Sequence, residues 1–163
     1  MNKMKFPVYE PEITEREIEL VTQTIRDGWI GSKGPFVRKF ETLFAEWIGA
    51  DDSLTSSNGT CSLHLAVEAL GLGEGDEILV PNLTFIATAN VVVFAGAKPV
   101  FVDIEPTSFG MDPEQIKSKI TSKTRAIMPV HLYGHPAKMD EIMKIAKEND
   151  LFVIEDASEA IGA

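Results

Sequence analysis

Residues 75–106, GDEILVPNLTFIATANVVVFAGAKPVFVDIEP, decide the fold. Two short apolar runs, at 77–80 and 99–102, flank a segment long enough for three turns of helix, at 84–95. Runs of that length read as strands, and a connection of that length is a crossover rather than a hairpin. The two strands therefore run parallel. The same alternation extends in both directions, predicting further strands at 53–56, 125–130 and 151–155, and helices at 60–70, 112–119 and 137–148. The expectation is an α/β fold, a mainly parallel sheet with helices on both faces.

The amino-terminal part reads differently. Thr14-x-x-Glu17 is a capping box, and Ile18, Val21 and Ile25 follow at helical spacing, which predicts a helix over 15–26. DGWIGSKGP then breaks the pattern with Gly28, Gly31, Gly34 and Pro35. Phe36, Phe40, Leu43, Phe44 and Trp47 form the apolar stripe of a second helix, ended by Gly49. No repeat, low-complexity segment or linker interrupts the chain, so one α/β domain is expected.

At 163 residues the chain is long enough to bury roughly two thirds of its unfolded surface. With 44% apolar and 25% charged residues it is neither fibrous nor disordered in composition. A net charge of -10 argues against a nucleic-acid partner. The single cysteine, Cys61, excludes an internal disulfide and reads as a small buried hydrophobe on a helix. No stretch has the length of a membrane span, and MNKMKFPVYEPEITE lacks an apolar h-region, so a soluble cytoplasmic protein is expected.

In open parallel sheets ligands bind outside the carboxyl ends of the strands. There, SSNGTC places Asn58, Gly59 and Thr60 at a helix start, where unpaired N–H groups and the helix dipole favour an anion such as phosphate. The local alternative is an ordinary turn and N-cap. The spacing matches neither G-x-G-x-x-G nor a P-loop. In PNLTFIATAN, Phe85 can lie against a flat ring or serve as core, while Ile86 and Val93 read as core. In EDASEA, Asp156 can hold a protonated ring nitrogen, or Asp156 or Ser158 can cap a following helix. His131, like His64 and His135, reads as a satisfied structural histidine. No cluster has metal-ligand spacing, and no Gly-x-Ser-x-Gly elbow is present. An anion site, an aromatic face and a carboxylate for a ring nitrogen together describe a pocket for pyridoxal 5'-phosphate.

SNGTCSLHLAVEALGLGEGDEILVPNLTFIATANVVVFAGAKPVFVDIEP, AIMPVHLYGHPAKMDEI and VIEDASEAIGA resemble the DegT/DnrJ/StrS family of sugar aminotransferases, which have fold type I of the pyridoxal phosphate enzymes. The likeness is nearest to its perosamine synthase-like members. It implies N-terminal helices and a substrate loop in 1–50, then the first part of a cofactor-binding large domain in 51–163. Carried over, Gly59 and Thr60 grip the cofactor phosphate, Phe85 stacks on the ring, Asp156 partners the ring nitrogen, and Glu159 lies beside the phenolic oxygen. Ser32 and its neighbours fall in a loop that receives the nucleotide sugar. The Schiff-base lysine of the family is expected beyond Ala163, so the resemblance implies an N-terminal fragment, inactive alone, of a homodimeric enzyme. Its substrates would be a nucleotide-linked 4-keto-6-deoxyhexose and glutamate. Two alternatives stay open: a sugar 3-dehydratase of the same superfamily, with histidine in place of that lysine, and a non-catalytic binding module.

Overall fold

The computed structural model describes residues 10–163. Residues 1–9, on which much of the reading for a leader falls, lie outside the described residues. The chain divides into two compact units, Met1–Thr55 and Ser56–Ala163.

In the first unit, α1 (Glu15–Arg26) starts at the expected capping box, with Glu17 accepting from the Thr14 amide at 2.7 Å and Thr14 accepting from the Arg16 amide at 3.2 Å. Helix α2 (Pro35–Ile48) has proline in its first turn and stops at Gly49, whose φ of 74° is the left-handed geometry of a C-cap glycine. The apolar stripes of both helices form, yet Ile18, Val21, Ile25, Phe40, Leu43 and Trp47 are exposed.

No strand forms at 53–56, contrary to the expectation. Glu41, buried on α2, accepts from the Thr55 amide at 3.0 Å and the Thr55 hydroxyl at 2.9 Å, and the Ser53 hydroxyl donates to the Glu41 carbonyl at 2.7 Å. The Thr55 amide, then its hydroxyl, hold the Glu41 carboxyl below the usual range. With its polar groups tied to a helix and its one large apolar side chain, Leu54, 70% exposed, the segment has no reason to join a sheet.

The second unit runs α3 (Gly59–Ala69), β1 (Glu77–Pro81), α4 (Ala87–Phe94), β2 (Lys98–Val102), α5 (Pro113–Lys119), β3 (Thr124–Ile127), a 3-10 turn (Leu132–Gly134), α6 (Met139–Glu148) and β4 (Phe152–Val153). The four strands are all parallel, in the order β2-β1-β3-β4. The chain thus leaves β1 toward one side for β2 and crosses back to the other for β3. Right-handed crossovers in opposite directions put their helices on opposite faces. The core shows that division. Ile78, Val80, Ala126 and Met128 pack with Leu63 and Val67 of α3 and Val91 and Val92 of α4. Leu79, Val102 and Ile127 pack with Ile116 of α5 and Ile142 and Ile145 of α6. The two-residue alternation of β1 and β3 assigns each side chain to its face, and each fully buried aliphatic side chain contributes about 1.5–3 kcal/mol.

Strand β4 is shorter than the expected 151–155 because Pro129 has no N–H to give the ladder. Parallel pairing resumes one step later, with the Asp156 amide donating to the Pro129 carbonyl at 2.9 Å and the His131 amide to the Asp156 carbonyl at 3.0 Å. Those bonds fix Asp156 at the carboxyl end of the sheet.

Candidate active site

Helix α3 begins with Asn58 in an extended conformation, its Oδ1 accepting from the Cys61 amide at 2.9 Å and its carbonyl from the Ser62 amide at 3.1 Å. The amides of Gly59 and Thr60 take no acceptor among the described residues. Both are open to water or a ligand. Space at Gly59 is tight: a Cβ there would lie 3.1 Å from Ser158 Oγ, which would have to give way by a few tenths of an ångström. Cys61 is exposed, not buried as expected, because its place in the first turn of α3 lies off the Leu63–Val67 face.

Gly59, Thr60, Phe85, Asp156 and Glu159 line one cavity of about 270 Å³, with Leu63, Ala87 and Val130 as apolar wall. That is room for one substituted aromatic ring. The Phe85 side chain is 69% exposed, so it stands on this cavity rather than in the core. Ile86 and Val93, expected in the core, are exposed as well. Helix α4 buries Ala89, Val91 and Val92 instead.

Asp156 is only 6% exposed. Its Oδ1 accepts from the Ser158 hydroxyl at 2.6 Å and the Ser158 amide at 3.2 Å, and its Oδ2 accepts from the Thr88 hydroxyl at 3.0 Å. All three donors are neutral. No cationic side chain among the described residues pairs with this carboxylate, and a buried charge without a counter-ion is costly. The arrangement therefore suits a cationic donor brought in by a ligand. Residues 157–163 form turns without a helix, so Asp156 caps only the turn at Ser158.

Glu159 Oε2 accepts from the Tyr133 amide at 2.7 Å. Tyr133 has a φ of 55°, a left-handed geometry that costs a non-glycine residue energy and persists where neighbours enforce it. The Glu159 contact ties the loop after β3 to the cavity. His131 is a satisfied structural histidine, as expected. Its Nδ1 accepts from the Ala137 amide at 3.1 Å, which leaves the proton on Nε2, 3.0 Å from Glu155 Oε2. Ser32 belongs to the first unit, where it lines a hollow of about 450 Å³ with Lys33, Arg38 and Glu41.

Thr88 and the clamping by Ser158 escaped the sequence reading. The available signal is a threonine in the largely apolar run ATANVVVF, a place where a buried hydroxyl must find a partner.

Solved proteins that share this backbone include aminotransferases. An aminotransferase from Psychrobacter cryohalolentis is 40% identical with a TM-score of 0.87, over 94% of this chain and 39% of that one. NtdA from Bacillus subtilis, solved with bound cofactor PMP, is 35% identical with a TM-score of 0.85, over 99% of this chain and 39% of that one. The chain belongs to the DegT/DnrJ/EryC1/StrS aminotransferase family, whose model matches residues 11–163. The family uses pyridoxal phosphate. Among curated relatives, GDP-perosamine synthase of Escherichia coli O157:H7 is 50% identical over 161 residues, 98% of this chain. The chain spans 44% of that relative's length. Among the described residues no helix is long and apolar enough to cross a membrane.

Proposed function

We propose that this chain supplies the cofactor cradle of a sugar aminotransferase that works with pyridoxal 5'-phosphate. The substrate would be a nucleotide-linked 4-keto-6-deoxyhexose and the amino donor glutamate, in a cytoplasmic homodimeric enzyme. Family membership and the similarity to a GDP-perosamine synthase support the reaction class. The observation that carries the reading is local: a buried carboxylate without a cation shares one small cavity with two open helix-start amides and an exposed aromatic ring.

When bound, the cofactor supplies an electron sink for the charge left as the amino donor loses a proton. The residues on hand hold and orient it. The Gly59 and Thr60 amides, at the positive end of α3, take the phosphate. Asp156 keeps the ring nitrogen protonated, since a neighbouring carboxylate favours the charged form of a base. Phe85 covers a ring face and excludes water, and Glu159 faces the phenolic oxygen. Ser32 and its loop receive the nucleotide sugar. Among the described residues no lysine lines the cavity, so this reading gives the chain the cradle and not the covalent anchor.

Pyridoxamine 5'-phosphate provides the test because it binds without a lysine. Titrated into the chain and followed by calorimetry, it should bind saturably at one equivalent, and Asp156→Asn should weaken it by roughly 10- to 100-fold, as expected for a lost charged hydrogen bond. Absence of saturable binding at millimolar concentration, or unchanged affinity in Asp156→Asn, would overturn the reading.

A further inference from the structure

We propose that Thr88, which lies outside the cavity lining, is a positioning residue that fixes the Asp156 carboxylate for a ligand's cationic nitrogen; the inference rests on the cofactor reading above. Thr88 is fully buried on α4. Valine has nearly the same shape, so packing alone gives no reason for a hydroxyl there. Among the described residues its hydroxyl meets only Asp156 Oδ2 at 3.0 Å and the Thr84 hydroxyl at 3.0 Å.

An ionised carboxylate only accepts, so the Thr88 proton points to Asp156 and Thr84 must donate to the Thr88 oxygen. The direction of the chain Thr84 to Thr88 to Asp156 follows. On the other side, the Ser158 amide and hydroxyl both donate to Oδ1. The two oxygens are thus held separately, one by Thr88 on the helix after β1, 68 residues from Asp156 in sequence, and one by Ser158 in the turn after β4. The plane of the carboxylate is set. Oδ1, with two donors, has its lone pairs used, whereas Oδ2 has one donor and one lone pair to spare. Oδ2 is therefore the oxygen that meets the ligand, and Thr88 is the residue that holds it. Without Thr88 the carboxylate is held at one oxygen and can swing about it.

The experiment is a double-mutant cycle on the 163-residue chain, with pyridoxamine 5'-phosphate as probe and the thermal midpoint of the ligand-free chain recorded for each variant. Thr88→Val should weaken binding about tenfold, in line with a hydrogen bond to a charged group, and Thr88→Ser, which keeps the hydroxyl, should stay within about twofold of wild type. In an Asp156→Asn background Thr88→Val should add nothing. Wild-type affinity in Thr88→Val, or a full penalty that persists with Asp156→Asn, would overturn the role of Thr88 alone. Failure of the wild-type chain to bind the probe would overturn this inference and the cofactor reading together.

Discussion

After β2 the chain turns around Glu105, and after β4 it turns around Asp156, two acids that are 7% and 6% exposed at opposite edges of one sheet. Glu105 is surrounded by its own loop. It accepts from the Ser108 amide at 2.5 Å, the Thr107 amide at 3.1 Å and both of their hydroxyls, with Lys138 Nζ 3.8 Å away. The Ser108 hydroxyl first, then that of Thr107, hold its carboxyl down to about 2. Its backbone closes the same turn, the Glu105 amide donating to the Gly110 carbonyl at 2.9 Å. Asp156 has fewer donors, one of them from a distant helix, and opens on a cavity. Four donors within three residues fill both oxygens of Glu105 and make it a staple for a loop, whereas Asp156, with two donors from Ser158 and one from Thr88, keeps a lone pair on Oδ2 for something else.

The contrast breaks most visibly at Glu105. Its folded pKa lies below the ordinary 4.5, so the stability it contributes is complete above pH 4.5 and is lost as pH falls through about 2. Denaturant midpoints measured from pH 7 to pH 2 should show that acid limb. Glu105→Gln should lower the midpoint at pH 7, by placing an NH2 group among four donors, and should flatten the limb. Part of the slope remains, because Glu41 and Glu77 are also held low, the latter first by Lys98 and then by Thr121. Asp156→Asn should change the midpoint less than Glu105→Gln while abolishing most ligand binding. The reverse pattern would erase the distinction between staple and site.

A smaller effect sharpens the same contrast through two glycines. A Cβ on Gly110, at the end of the Glu105 turn, would lie 3.1 Å from Ala137 Cα and 3.2 Å from Ala137 Cβ. That backbone has little room to give, so Gly110→Ala should cost about 1–3 kcal/mol of overpacking in chemical denaturation and leave pyridoxamine phosphate affinity unchanged. Gly59→Ala meets the Ser158 hydroxyl at 3.1 Å and should do the opposite, with little loss of stability and a clear loss of affinity.

The sheet was legible because β1, β2 and β3 are short apolar runs separated by crossovers of sufficient length. The capping box of α1 and the glycine stop of α2 are local rules that need no tertiary context. What failed did so for identifiable reasons. Helix α4, reading ATANVVVF, is apolar nearly all round, so no moment told which side faces the sheet, and Ile86 and Val93 were placed in the core while they are exposed. Residues 53–56 resemble a strand in sequence, and nothing in four residues reveals that Glu41 takes the Thr55 amide. Gly59, Thr60, Phe85, Asp156 and Glu159 were named from motif position, and they line one cavity. The role of Thr88 is not legible in the sequence, since its partner lies 68 residues away and leaves no periodic trace.

Amide spectra of the isotopically labelled chain, recorded as pyridoxamine 5'-phosphate is added, bear most directly on whether helix-start amides, aromatic and carboxylate act as one site. The Gly59 and Thr60 resonances should move in step with those of Phe85 and Ser158 and stop moving at one equivalent. Shifts that leave Gly59 and Thr60 in place, or that gather away from the carboxyl end of the sheet, would contradict it.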